Sequence, residues 1–297
     1  MNATPMLKAA CWVTRNFHVF PGRWRLIHWI NSNDLALRAC QPTTVRIASG
    51  YHMFVQPGDG QMQRVYRCGL NPRDTLGKLF TAVLKPGDTA LDVGANCGYY
   101  TVLASRLVGP QGRVHAWEAS PWNFNYLQRN VEINPCQNVS AHWEAVSDRC
   151  GEVEFHEAPA GLSGLASMRD LGPTSGHTVH VPATTLDRRL GELPRVKLVK
   201  IDVEGADYLV LKGMRGLLER DRPYLICEFH DEWFREFGAD GDEVFRFLQA
   251  YGYRMQRIEP ACLSDLSQAP HDQCNIFCFP AGQPAPISNR LPEFAAA

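Results

Sequence analysis

Two regimes of hydrophobic patterning divide this chain. From residue 86 onward, short apolar runs alternate with stretches of helical periodicity. TALDVG (89–94), RVHAWE (113–118), VSAHWEAV (139–146), VKLVKID (196–202), YLICEF (224–229), YRMQRI (253–258) and CNIFCF (274–279) read as strands. Helices are expected over Tyr99–Leu107, from Ser120-Pro121 onward, over roughly 207–219 and near 241–251. Ser120 and Pro121 have the residue types of an N-cap and a first helical position. Strands alternating with helices predict an α/β domain: a mostly parallel seven-stranded sheet, Rossmann-like, with helices on both faces.

Before residue 75 the pattern is different. Trp12, Phe17, Phe20, Trp24, Ile27, Trp29 and Leu35 are spaced irregularly among basic residues, so residues 1–40 read as helical, broken at Pro21-Gly22. TTVRIA and YHMFVQ, joined by Ser49-Gly50, predict a β-hairpin. Asn71-Pro72 closes this section, and Thr75 to Leu84 predicts a helix leading into the main domain. The expected organisation is an N-terminal helical and hairpin segment over 1–75 on the lid or substrate side, a main domain over 76–280, and a loosely ordered tail over 281–297. A β-rich insert over 151–186, around GLSGLASMRD, is a candidate substrate-facing segment.

Charge adds one asymmetry. The net charge of −1 gives no general attraction to nucleic acid, and none is expected as a partner. Residues 1–50 nevertheless carry six basic residues against Asp34 alone, a net of +5, which leaves −6 for the rest. Arg23, Trp24, Arg25 and Trp29 suit a membrane interface, but such a stretch more commonly packs on the core, so peripheral membrane contact is the less favoured expectation. The ten cysteines form no CxxC pair and no disulfide framework, which points to free thiols and a cytoplasmic location. Neither a secretory h-region nor 18 consecutive apolar residues occur.

The strongest chemical signal is LDVGANCGYYT, residues 91–101, a glycine-containing turn from a strand into a helix. Its spacing, Asp92-x-Gly94-x-Asn96-x-Gly98, is not the dinucleotide fingerprint. Gly94, Ala95 and Gly98 are small enough for a ligand to approach the main chain, with the turn's N–H groups and the helix dipole facing it. An acidic residue at position 92 suits an ammonium group better than a diphosphate. Glu118, 20 residues beyond Gly98 at the next strand end, can accept both ribose hydroxyls of an adenosine. S-adenosyl-L-methionine combines an ammonium, a carboxylate, a sulfonium and an adenosine, and is the expected cofactor. Ser147, in the AVSD turn after the third strand, could contact the adenine edge, or simply end that strand. Asp187 in TTLD reads as a first-turn helix residue favoured by the dipole.

The run LDVGANCGYYT, then VHAWEASPWNFNYLQRN, EAVSD, VPATTLD and VKLVKIDVEGADYLVLKGM resembles the FkbM-type methyltransferase family over roughly residues 75–230. The resemblance implies a class I methyltransferase fold, S-adenosylmethionine as donor, and O-methylation of sugars, polysaccharides, glycolipids or natural products. Ala119 stands where the family pattern usually has Pro, and Asp207 where it has a second Glu.

KIDVEGAD (200–207) ends the fourth strand and CEFH (227–230) the fifth, so Asp202, Glu204, Glu228 and His230 should face one crevice beyond the strand ends. His230, whose ordinary pKa lies near neutrality, is the first choice for the base that removes a hydroxyl proton, and Asp202 is the second. Asp202, Glu204 and Lys200 could instead be an ion-pair cluster capping a helix. Asp202 with Glu228 offers oxygen ligands for a divalent cation, but the pattern demands none and no metal is expected. Two other readings compete: a nicotinamide-dependent oxidoreductase, disfavoured by the missing G-x-G-x-x-G, and a non-catalytic cofactor-binding module.

Overall fold

A computed structural model describes residues 5–17, 20–33, 35–38, 40–47, 50–69, 75–159, 161–170, 172, 176–260 and 262–283. Ser49, Asn71-Pro72 and the tail from 284 lie outside the described residues. The N-terminal part comprises helices α1 (Pro5–Asn16), α2 (Arg23–Asn31) and α3 (Leu35–Arg38), strands β1 (Thr43–Arg46) and β2 (His52–Val55), and helix α4 (Gly60–Cys68). Gly22, in the left-handed region at φ 82°, makes the expected break before α2. β1 and β2 pair antiparallel as the hairpin the pattern predicts. Helix α4 was not legible from its apolar spacing. Asp59 starts it, accepting hydrogen bonds from the N–H groups of Gln61 and Met62, and Gly69 at φ 67° ends it.

The main domain runs α5 (Thr75–Val83), β3 (Thr89–Val93), α6 (Tyr99–Val108), β4 (Arg113–Trp117), α7 (Pro121–Glu132), β5 (Val139–His142), β6 (Ala145–Val146), β7 (Gly151–His156), β8 (Thr178–Thr184) and β9 (Val196–Ile201). It continues through α8 (Asp207–Lys212), α9 (Arg215–Asp221), β10 (Tyr224–Phe229), α10 (Asp231–Glu236), α11 (Gly241–Ala250), β11 (Tyr253–Ile258), β12 (Leu263–Asp265) and β13 (Cys274–Pro280). The large sheet has the order β12-β11-β13-β10-β9-β3-β4-β5. Its centre, β10-β9-β3-β4-β5, is parallel, and β13 enters antiparallel between β10 and β11. The seven expected strands are all present, and three-residue β12 extends one edge.

Period-two alternation assigns each strand residue to a face. Leu91, Val93, Val199, Ile201, Leu225 and Cys227 pack on one side against Val210, Leu211, Leu217, Leu218, Val244 and Leu248 of α8, α9 and α11. Ala90, Val114, Leu198 and Ile226 pack on the other against Leu79, Phe80, Val83, Leu103, Ala104 and Val108 of α5 and α6. Helices therefore cover both faces, the arrangement that parallel strands require.

Two expected elements are divided. The third strand stops at His142, and β6 joins a separate three-stranded sheet, β6-β8-β7, formed with the insert. The helix expected over 207–219 breaks between α8 and α9 at Gly213, where a Cβ would lie 2.0 Å from the carbonyl oxygen of Ser147. Close backbone contact, which side-chain periodicity cannot express, sets that break. Asp187 opens a short 3₁₀ helix (Asp187–Arg189), as expected of a first-turn residue, and its carboxylate also accepts from Gly216 and Leu217 at the start of α9.

The N-terminal segment packs onto the main domain through Leu7, Cys11, Ile30, Met53, Val55, Met62 and Val65 against Cys97, Tyr99 and Val102. Asn130 of α7 completes the edge of β2, accepting from Phe54 N–H and donating to its carbonyl. Packing is thus the fate of its aliphatic residues, but Trp12, Phe17 and Trp24 are 53%, 53% and 67% exposed. Among the described residues no helix is long and apolar enough to cross a membrane.

Candidate active site

The turn after β3 is built by its own hydrogen bonds. Gly94 and Ala95 N–H both donate to the carbonyl of Trp117, Asn96 N–H donates to Oε2 of Glu118, Cys97 N–H to the Asn96 side chain, and Gly98 N–H to Ala95. Every main-chain donor from 94 to 98 is therefore used inside the protein. This corrects the expectation that these groups face the ligand, and it removes the anion cradle that a dinucleotide diphosphate needs. Asn96 adopts φ 51°, a left-handed conformation that asparagine tolerates better than most residues.

The glycines serve packing as much as ligand approach. A Cβ at Gly94 (φ +75°) would lie 1.9 Å from the Asp202 carbonyl oxygen, and one at Gly98 (φ +83°) 2.6 Å from Leu127. Gly94 lets the turn after β3 lie against the end of β9, which places Asp202 beside the cleft.

That cleft, open to solvent, is lined by Gly94, Ala95, Asn96, Glu118, Ala119, Lys200, Asp202 and Glu204 together with apolar Val93, Trp117, Val146, Phe155 and Met168. Glu118 is 5% exposed. Its Oε1 accepts from Ser120 N–H at 2.9 Å and its Oε2 from Asn96 N–H at 2.7 Å. Burial raises its pKa to about 7, opposed by these two hydrogen bonds.

Asp92 and Lys200 are register partners on β3 and β9 and share a sheet face. Asp92 is 1% exposed; its Oδ2 accepts from the Thr101 hydroxyl at 2.6 Å and its Oδ1 lies 3.5 Å from Lys200 Nζ. It is not among the residues lining the cleft. The expected contact between Asp92 and a ligand ammonium is therefore replaced by an internal pair. Lys200 also reaches Asp202 at 3.2 Å. Burial opposes its charge, but Asp202 and Asp92 outweigh burial and raise its pKa, so the lysine stays charged. The ion-pair cluster read from the sequence exists, although Asp202 also opens on the cleft.

Carboxylates from two strand ends converge beside this cleft. One oxygen each from Asp202, Glu204 and Glu228 lies within 4.8 Å of the others. Glu204 sits at φ 54°, and burial, followed by the charges of Glu228, Asp202 and Asp207, pushes its pKa to about 9. Burial and the Asp202 charge raise Glu228 as well, and burial with the charges of Glu228 and Asp202 raises Asp207.

His230 is placed differently from expectation. It precedes α10, its ring stacks on Trp233 at 4.0 Å and 3°, and it is not among the residues that line the cleft. Arg169 covers the same Trp233 at 4.1 Å and pairs with Glu236. Gly98 and Ser147 also lie outside the lining. Ser147 N–H is bound by Thr184, and Glu144, Ala145 and Val146 occupy the position expected of it.

The roof over the cleft comes from one helix of the N-terminal segment and from the insert. Gln61 and Val65 of α4 and Ser163, Gly164, Ala166 and Met168 of the insert form it. Asp59 joins the two halves by accepting from the N–H and hydroxyl of Ser163. The Gly/Ser/Met-rich loop was the signal for the insert; α4 gave none beyond its caps.

The profile of the Methyltransferase FkbM domain matches residues 92–255. The chain belongs to the FkbM methyltransferase family. The hexuronic acid methyltransferase AglP of Haloferax volcanii is 28% identical over 224 residues, 75% of this chain and 86% of that one. The 31-O-demethyl-FK506 methyltransferase FkbM of Streptomyces tacrolimicus is 29% identical over 209 residues, 57% of this chain and 74% of that one. The crystal structure of an FkbM methyltransferase from Methylobacillus flagellatus KT is 15% identical, with a TM-score of 0.43, and the match covers 69% of this chain and 54% of that one. This FkbM-family protein is accordingly an S-adenosylmethionine-dependent methyltransferase on a Rossmann-like sheet, and the oxidoreductase reading is set aside.

The cleft fits that donor. Glu118 presents a buried carboxylate of the kind that accepts a ribose diol, the apolar wall of Trp117, Val146 and Phe155 suits a base, and Lys200 is the one ammonium among the described lining residues.

Proposed function

We propose that this FkbM-family methyltransferase acts on a hydroxyl oxygen of a sugar, glycolipid, polysaccharide or natural product. The observation that carries the reading is the convergence of Asp202, Glu204 and Glu228 beside the cofactor cleft. A hydroxyl is a poor nucleophile, and a positioned proton acceptor is worth roughly 10²–10⁴-fold. Bound S-adenosylmethionine supplies a methyl group on a sulfonium that leaves as a neutral thioether. For their part, Asp202 and Glu204 line the cleft and orient the acceptor hydroxyl; Asp202 takes its proton as the new bond to oxygen forms, and Glu204 does so in its ionised fraction, which grows as pH rises toward about 9. His230, stacked on Trp233 and outside the cleft lining, is not assigned this role.

The names of the relatives, a hexuronic acid methyltransferase and a 31-O-demethyl-FK506 methyltransferase, support hydroxyl-rich acceptors. The ten free cysteines support a reducing, cytoplasmic setting. The N-terminal segment (1–75) and the insert are proposed as the acceptor-side roof of the domain over 76–280.

The test is methyl transfer from labelled S-adenosylmethionine to a panel of hexoses, uronic acids and hydroxylated polyketides, with product mapping. An O-methyl product that Glu204→Gln abolishes, with cofactor binding intact, supports the reading. An N-methyl product, or no dependence on Glu204, overturns it.

A further inference from the structure

We propose that Asp202, Glu204 and Glu228 bind one hard divalent cation, of the Mg²⁺ or Mn²⁺ type, at the acceptor end of the cleft. The cation would fix the acceptor hydroxyl and favour loss of its proton; this catalytic part rests on the hydroxyl-transfer reading, whereas the site itself does not.

The geometry is that of an oxygen-ligand site. In an octahedron with metal–oxygen distances of about 2.1 Å, ligand atoms lie about 3–4.2 Å apart. The three carboxylate oxygens already lie within 4.8 Å of one another, so modest side-chain adjustment closes the set. All three donors are hard carboxylates without sulfur or imidazole, which selects Mg²⁺ or Mn²⁺ over zinc or copper.

A second observation is independent of the spacing. Glu228 is 9% exposed; its Oε1 accepts from the Gln273 amide at 2.8 Å, and its Oε2 is buried without a hydrogen bond. Asp207, 1% exposed, lies close enough for its charge to act on Glu204, and leaves its Oδ1 equally unpartnered. Buried acceptors of this kind are uncommon and point to an ion or a water.

Nearby positive charge is already committed. Lys200 is shared between Asp92 and Asp202, and Arg169 pairs with Glu236 and covers Trp233. Asp202, Glu204, Asp207 and Glu228 thus outnumber the two nearby positive charges, Lys200 and Arg169, and a divalent cation would offset the excess once they ionise. The sequence reading placed Glu204 in the same crevice but counted only Asp202 and Glu228 as ligands; the structure adds a third carboxylate oxygen to the set.

Mn²⁺ titration followed by electron paramagnetic resonance, on the whole protein without cofactor or acceptor, tests the site. One site of micromolar to submillimolar affinity is expected, competed by Mg²⁺. Glu228→Gln and Glu204→Gln should each weaken it at least tenfold, while Glu132→Gln, on the exposed face of α7, leaves it unchanged. S-adenosylhomocysteine binding by each variant reports that it is folded. Absence of Mn²⁺ binding at millimolar concentration by a wild type that binds S-adenosylhomocysteine overturns the site, as does binding that both folded variants retain. Neither result touches the methyltransferase assignment, and Mn²⁺ binding with only N-methyl products would overturn the acceptor reading while leaving the site.

Discussion

Asn96 donates its main-chain N–H to Oε2 of Glu118 at 2.7 Å, tying the turn after β3 to the end of β4. Ser120 N–H binds the other oxygen, so the carboxylate is fixed in plane before any ligand arrives. The hydrogen bond joins the two sequence signals that name the cofactor, and it makes them one unit. Glu118→Gln turns an NH₂ group toward one of these buried donors, a mismatch of about 1–3 kcal/mol. At least a tenfold loss of S-adenosylhomocysteine affinity is expected by calorimetry, with a lowered Tm. Unchanged affinity would place the ribose elsewhere.

Burial gives the same carboxyl a pH signature. Its pKa of about 7 in the folded protein exceeds the ordinary 4.5, so a proton competes with the ribose hydroxyls on the acid side. Affinity for S-adenosylhomocysteine should climb with pH up to about 7 and level off above about 8, with proton release on binding near neutrality. For the cofactor-free protein the sign reverses. A raised carboxyl pKa means stability from this group is fully present below about 4.5, falls as pH rises to about 7, and is flat beyond. Titrations in buffers of different ionisation enthalpy measure the first effect; a flat affinity from pH 5.5 to about 8 would contradict it.

Gly94 and Gly98 look alike in the motif but face different neighbours. A methyl at Gly94 meets the backbone of Asp202, which cannot yield without moving β9; a methyl at Gly98 meets the end of the Leu127 side chain, which can rotate. Both also bear the cost of a positive φ, roughly 1–2 kcal/mol. Gly94→Ala is expected to abolish folding or lower stability by more than about 3 kcal/mol, and Gly98→Ala by about 1–3 kcal/mol. Urea unfolding of the two variants separates them, and equal losses would refute the distinction.

His230 and Glu204 exchange the importance their residue types suggest. His230→Ala removes a ring stacked on Trp233 and should lower kcat less than tenfold. Glu204→Gln removes a carboxylate that lines the cleft and should lower kcat at least a hundredfold with the cofactor Kd unchanged. Steady-state kinetics on the acceptor found by screening checks the pair.

Strand and helix periodicity located the large sheet, its cofactor turn and Glu118, because each is encoded within a few neighbouring residues. What stayed hidden depends on contacts between distant segments. Asp92 was expected to meet the ligand because residue type does not reveal that Lys200 is its register partner. The break at Gly213 follows from Ser147, and β6 leaves its strand to pair with β8. His230 follows its strand as expected, but its ring stacks on Trp233 three residues later and is not part of the cleft lining.

Asp59 provides the last test, because it holds the roof of the cleft in two directions. Fully buried, it accepts from Gln61 and Met62 N–H at the start of α4 and from the N–H and hydroxyl of Ser163 in the insert. Gly60 N–H adds a bond to the Gly161 carbonyl across the same seam. Asp59→Ala leaves four donors without their acceptor, three of them main-chain N–H groups. Loss of a cap and of buried charge-assisted bonds costs about 2–4 kcal/mol. The sheet and the Asn96–Glu118 hydrogen bond lie below the roof, so the damage should concentrate in α4 and the insert. Hydrogen exchange should rise across 60–68 and 161–168 while β3 and β4 stay protected. Cofactor affinity should fall several-fold, and KM for the acceptor should rise more than kcat falls. Uniform exchange across the whole domain would mean that Asp59 supports the entire fold and that the roof is not a separable unit.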